Sequence, residues 1–154
     1  MLKYLDSYHD IPKTAFWLGL GGVVPFVFFD LYILFGPREW VPDVIHAMVG
    51  YGAIILSFLG GVLWGLAITH EKNESHSELS TLLIISMLPP LVGWFALLAD
   101  PELGLTTLLL AFMSLWAIDW RFYQAGHSLD WYLVLRSILT GLVLFCLLVA
   151  WVVS

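Results

Sequence analysis

Long apolar runs separated by short polar interruptions dominate the chain. A bilayer-crossing helix takes roughly 20 mostly apolar residues, and five segments have that character: Thr14 to Phe35, Val44 to Thr69, Leu79 to Ala99, Leu103 to Ile118 and Tyr132 to Ser154. Between them lie FGPREWVPD, a turn rich in proline and charge; HEKNESHSE, a polar island; ADPEL, a tight acidic turn; and DWRFYQAGHSLDW, an amphipathic stretch. Such polar, proline-bearing interruptions punctuate helices. The pattern predicts an all-α polytopic membrane protein, a single compact five-helix bundle over residues 1–154, because no interruption has room for a second domain. The leading MLKYLDSYHDIPK is polar, and the apolar run after it is too long for a signal-peptide core and lacks a small-residue cleavage pattern. The first span is therefore expected to be retained.

Within the second span, AMVGYGAIILSFLGGVLWG carries five glycines and no charge. At 100° per residue, Ala47, Gly50, Ala53, Ser57, Gly61 and Gly65 fall within about one third of the helix circumference over about 27 Å. Apolar burial gives membrane helices little drive to meet, and they adhere through close backbone approach at small residues. The second helix is thus expected at the bundle centre, with Ala15, Gly19 and Gly22 of the first as a facing surface. Prolines lie inside two spans, Pro25 in GGVVPFVFF and Pro89 with Pro90 in SMLPPLVGW. Each removes a donor and displaces a preceding carbonyl, near Gly21 in one case and near Ile85 and Ser86 in the other, so both helices should kink. Displaced carbonyls either find neighbouring hydroxyls or water, or line a polar passage as in broken-helix transporters.

Composition sharpens this picture. Of 154 residues, 60% are hydrophobic, 16% aromatic and only 12% charged, against about 25% charged in soluble domains. Twelve acidic and six basic side chains give a net charge of −6, which argues against a nucleic-acid surface. With five spans, Lys3, Lys13, Lys72, Arg121 and Arg136 collect on one side and Arg38 alone on the other. The positive-inside rule then places the N-terminus in the cytoplasm and the C-terminus in the periplasm of a bacterial inner membrane. Trp17, Trp40, Trp120, Trp131, Tyr132 and Trp151 recur near the span ends as an interfacial aromatic belt. The single cysteine, Cys146, has no disulfide partner and reads as a small apolar filler.

Ionisable groups at membrane depth are the first candidates for function. Asp30, Arg38 and His46 form a possible outer cluster, either a salt bridge pinning a turn or a proton relay. Asp119 and Arg136 would meet if the fourth and fifth helices are antiparallel, as a latch or as a charge pair that opens during transport. The island THEKNESHSE lacks an HExxH pattern and gives no metal assignment. His46 and His70 would lie about 36 Å apart along one helix, too far to share a haem. With no nucleophile motif, phosphate loop or paired carboxylates, no catalytic residue, metal or cofactor is assigned, and an enzyme is not expected.

The blocks IPKTAFWLGLGGVVPFV, YGAIILSFLGGVLWGLA and SMLPPLVGWFALL, with WAID followed by WYLVLRSILT, resemble an uncharacterised family of small bacterial and mitochondrial membrane proteins that includes transmembrane protein sixty-nine. The resemblance runs from about Ile11 to Leu148 and implies five spans in an energy-transducing inner membrane. A weaker likeness, of size and composition, links the chain to translocator proteins. From the residues themselves, the leading expectation is a non-enzymatic accessory subunit or assembly factor that contacts lipid and other integral membrane proteins of a respiratory or photosynthetic complex. The alternatives are a small-solute or proton-coupled carrier built on Asp30, Arg38, His46, Asp119 and Arg136, and a binder of a lipid, quinone or tetrapyrrole using aromatics such as Trp64, Trp94 and Trp116.

Overall fold

The computed structural model describes residues 10–69, 76–124 and 129–154. Five helices cover nearly all of them: α1 Lys13–Phe35, α2 Val41–Thr69, α3 His76–Leu98, α4 Pro101–Gln124 and α5 Asp130–Val153, with a short 3-10 turn at Arg38–Trp40. All five are long and apolar enough to cross a membrane. The helix ends fall within three residues of the expected ones, except the C-terminal end of α4. Helix α2 starts at Val41, because Pro42 is tolerated in a first turn where its missing N–H has no partner to lose. Helix α4 runs six residues past Ile118, since hydropathy reports where lipid ends whereas helical hydrogen bonding continues through WRFYQ. His70, Glu71 and Glu74 of the polar island lie outside the described residues.

Consecutive helices pack antiparallel. Down the α2–α3 seam, Gly60 meets Ser86 and Pro90 while Ala53 meets Gly93. Across the α4–α5 seam, Trp116 Nε1 donates to Ser137 Oγ at 3.0 Å and Trp151 Nε1 to Thr106 Oγ1 at 3.1 Å, so residue numbers rise on one helix as they fall on the other. Helix α1 closes the ring by packing along α5 as well as α2, and α2 additionally crosses α4. Helices α2 and α5 barely touch. The core between them is a single cluster that includes Phe26, Met48, Leu56, Leu105, Leu108, Phe112 and Leu147.

Glycines decide how close α2 comes to its neighbours, and the face concerned is rotated from the expected one. A methyl built on Gly60 would sit 2.7 Å from the Ser86 carbonyl oxygen and 2.9 Å from Pro90 Cδ. Pro90 cannot donate to that carbonyl, and one Cα–H of Gly60 points at it, the geometry of a weak C–H···O contact. Gly52 in the same way admits Leu108, and Gly93 lies against the Ala53 backbone. Of the expected stripe, Ala53 is buried and Gly50 and Ser57 half-buried, whereas Ala47, Gly61 and Gly65 are exposed. A methyl on Gly61 or Gly65 would meet nothing within 4 Å. The buried set, running through Ile45, Met48, Val49, Gly52, Leu56, Leu59, Gly60, Leu63 and Ala67, follows the three-four spacing of one helix face. Winding the small residues alone mixed that face with the lipid-facing one.

The proline-containing helices run without interruption through Pro25 and through Pro89–Pro90. Pro25 leaves the Gly21 carbonyl without its helical donor, and one residue along Tyr51 of α2 donates its hydroxyl to the Gly22 carbonyl at 3.0 Å. A neighbouring hydroxyl thus braces the turn preceding the proline, and Phe26 packs edge-on against the same Tyr51 ring.

Candidate functional site

The gap where α2 and α5 fail to meet forms a cavity of about 360 Å³ between α1, α2, α4 and α5. Phe112 of α4 closes its back, and Ile55, Leu59 and Val62 of α2 form one wall. The lining from α1 comprises Leu18 and Val23 beside three small residues, Ala15, Gly19 and Gly22. These are the small residues expected to face α2; in the structure Gly19 instead admits Leu139 of α5, and a methyl on Gly22 would meet nothing. Leu18 and Phe58, 72% and 66% exposed, stand at the rim, so the cavity opens sideways toward lipid between α1 and α2.

One corner is polar. Arg136 and Thr140 lie one turn apart on α5, so they share a helix face, and both line the cavity. Arg136 begins six residues into α5, about 9 Å along its axis. Its Nε donates to Asp119 Oδ2 at 2.8 Å, and both side chains are buried. The structure therefore brings Asp119 and Arg136 together. Because α4 continues to Gln124, the pair sits well inside both helices rather than at their ends. Tyr132, one turn before Arg136, lies against the pair and also lines the cavity. An ion pair in low dielectric gains strong mutual attraction at a large desolvation cost, so either partner alone would be far more costly. The corner is consequently charged in its parts and neutral as a whole.

The outer residues do not assemble as expected. Asp30 is buried while Arg38 and His46 are exposed, and no ion pair joins them. The Asp30 carboxyl faces the Cys146 thiol of α5 instead, and its Oδ1 has no hydrogen-bond partner. Cys146 is free and buried, as a small filler would be, yet its neighbour is polar. Among the described residues there is no group of three or more histidine, cysteine or acidic side chains able to hold a metal ion.

Sequence reasoning named Arg136 and its partner Asp119, and missed Thr140 and the place of Tyr132 beside them. Trp64 and Trp94 are exposed, and Trp116 is engaged with Ser137, so none of these aromatics lines the cavity. The aromatics that do are Phe58, Phe112, Trp131 and Tyr132. The last two sit near a span end, the position expected of an interfacial belt. The available signal was Arg136 followed four residues later by Thr140 in an otherwise apolar run, which puts two polar groups on one stripe.

The whole bundle matches a known family. The model of a protein family described as Protein of unknown function (DUF3429) matches residues 11–152. Transmembrane protein 69 of Xenopus tropicalis is 34% identical over 148 residues, covering 96% of this chain and 57% of that protein. Transmembrane protein 69 of Mus musculus is 28% identical over 131 residues, covering 85% of this chain and 52% of that protein. The chain thus spans about half the length of the curated relatives it matches. No solved structure matches it. With five apolar helices, and with family identity across nearly its full length, the chain belongs to the DUF3429 family of multi-pass membrane proteins that includes transmembrane protein 69.

Proposed function

We propose that this protein is a non-enzymatic membrane receptor for a lipophilic small molecule, held in the cavity between α1, α2, α4 and α5. The cavity carries the reading. Its volume of about 360 Å³ lies in the roughly 300–1,000 Å³ range of small-molecule sites, and such sites combine apolar walls with a few fixed polar groups. Here the walls are branched aliphatic and aromatic, and Arg136 and Thr140 are the polar residues of the lining. Native mass spectrometry of the protein released from membranes without denaturation is expected to show the chain carrying an adduct of a few hundred daltons. A bare chain under all conditions that preserve the bundle would refute the reading.

A second reading, an accessory subunit or assembly factor of a respiratory or photosynthetic complex, is favoured by the flank of α2 at Gly61 and Gly65, which is exposed and open to close approach. Comigration with a larger complex in gentle detergent would support it, and a strictly solitary chain would count against it. A proton-coupled carrier has less support, because Asp30 is enclosed away from Arg38 and His46. For location we propose a bacterial inner membrane with the N-terminus cytoplasmic and the C-terminus periplasmic, on the asymmetry of lysine and arginine.

A further inference from the structure

Resting on the ligand-receptor reading, the depth and shape of the cavity narrow what the ligand can be. On α5 its lining recurs at Trp131, Leu135, Leu139 and Val143, one stripe that rises about 18 Å along the helix axis. On α1 it extends from Ala15 to Val23, about 12 Å. Ala15 and Trp131 lie in the first turns of their helices, and Val23 and Val143 lie close to the midpoints. The α2 lining agrees, because Ile55 stands at the middle of that antiparallel helix and Val62 lies toward its end at Thr69. The cavity therefore occupies the half of the bundle nearer the start of α1, from the span ends to about mid-bilayer. That is the depth of one leaflet, about 15 Å of a hydrocarbon core about 30 Å thick.

Its width is that of one chain. Spread over this length, about 360 Å³ makes a channel only about 5–6 Å across, and a hydrocarbon chain is about 4–5 Å thick when its carbons keep van der Waals distance from their neighbours. An apolar cavity of about 150 Å³ holds a benzene, so this one has room for roughly a dozen carbons. Nothing in it recognises a polar head. Arg136 and Thr140 are lining residues, but Arg136 Nη2 and Thr140 Oγ1 are sealed within the protein, and Arg136 Nε is bound to Asp119. A head group therefore stays at the Trp131 end, where the span meets the interface, while the tail enters past Leu18 and Phe58. We propose that the cavity binds a single-chain lipid, its one straight hydrocarbon tail of roughly a dozen carbons lying along α1 and α5 within one leaflet. Such a tail is already dissolved in hydrocarbon and gains little hydrophobic drive on entry, so selection rests on contact. A shorter tail leaves part of the wall without partner atoms, and a longer one keeps part of itself outside. Binding peaks at one tail length.

The test uses the full chain in nanodiscs of dimyristoyl phosphatidylcholine, equilibrated with hexanoyl, octanoyl, dodecanoyl and eicosanoyl monoglycerides and the rigid fused-ring alcohol cholestanol at equal content in the bilayer, and read by native mass spectrometry. One dodecanoyl monoglyceride per chain is expected, at least about tenfold above the hexanoyl and eicosanoyl compounds. Gly22→Leu puts four side-chain carbons into open space near the mid-bilayer end, so its preference should move to the octanoyl compound. Gly61→Leu on the exposed flank should keep the parent's preference. Equal binding of every tail length, cholestanol in place of the chains, or the two-chain host lipid in place of the probes would overturn the single-chain assignment. If Gly22→Leu removes whatever adduct is then seen, the receptor reading survives that failure. Should the parent carry neither probe nor host lipid, both fall.

Discussion

Gly60 and Gly61 are adjacent, and their surroundings are opposite. Leucine at Gly60 has to displace the Ser86 carbonyl or the Pro90 ring, and such overpacking typically costs about 1–3 kcal/mol or more. A methyl at Gly61 meets nothing within 4 Å, so a leucine there starts into open space. Gly60→Leu should therefore shorten the thermal half-life of the purified bundle sharply while Gly61→Leu behaves as the parent; equal loss in both would place the seam on the wrong face. Tyr51 gives a finer probe. Its hydroxyl bond to the Gly22 carbonyl is worth about 0.6 kcal/mol on the membrane average and at most about 1.7, so Tyr51→Phe should lower stability measurably without unfolding the protein. At this scale the sequence offered types without directions. Small residues were visible in α2, but which of them face a neighbour depends on how α2 is turned against α3, and Pro90 on the partner helix helps fix that turn.

Between elements, the Asp119–Arg136 pair ties α4 to α5. It was legible in advance because antiparallel neighbours joined by a short linker bring the end of one helix to the start of the next. Its depth was not, since the apolar run ends at Ile118 while the helix continues to Gln124. Burial decides what substitution does. Arg136→Met alone leaves a buried unpaired carboxylate and should cost about 3–5 kcal/mol, whereas Asp119→Leu combined with Arg136→Met should be near neutral in stability. Chemical-denaturant unfolding in mixed micelles compares the three proteins. A single variant as stable as the double one would show that the pair is exposed to water. The outer cluster illustrates the opposite outcome: Asp30, Arg38 and His46 are near in sequence around one turn, yet the side chain of Asp30 turns inward to Cys146 and the other two turn out. Proximity along a helical hairpin specifies an end of the bundle, not a face.

For the whole molecule, the proposed topology of five crossings puts the two ends of the chain on opposite sides of the bilayer. Impermeant labelling of single cysteines placed at Lys3 and at Ser154 in a Cys146→Ala background is expected to modify only Ser154→Cys from outside intact cells. Fold class and span number could be read from hydropathy because each span must satisfy its backbone internally whatever its neighbours are. The cavity could not, because it exists through a negative fact of packing: α2 engages α1, α3 and α4 and leaves α5 at a distance. Nothing in any one helix records that gap. Arg136 marks one corner of it in the sequence, but Gly19, Gly22, Leu59 and Phe112 line one cavity only when the helices are assembled.

The central claim is that this gap holds a lipophilic molecule. Organic extraction of the parent, Gly22→Leu and Gly61→Leu proteins, purified side by side and matched for folded content, followed by mass spectrometry of the extracted small molecules per chain, tests it most directly. The expected result is one compound at near-stoichiometric amount in the parent and Gly61→Leu and its loss in Gly22→Leu. Equal amounts in all three, or none in any, would contradict the claim.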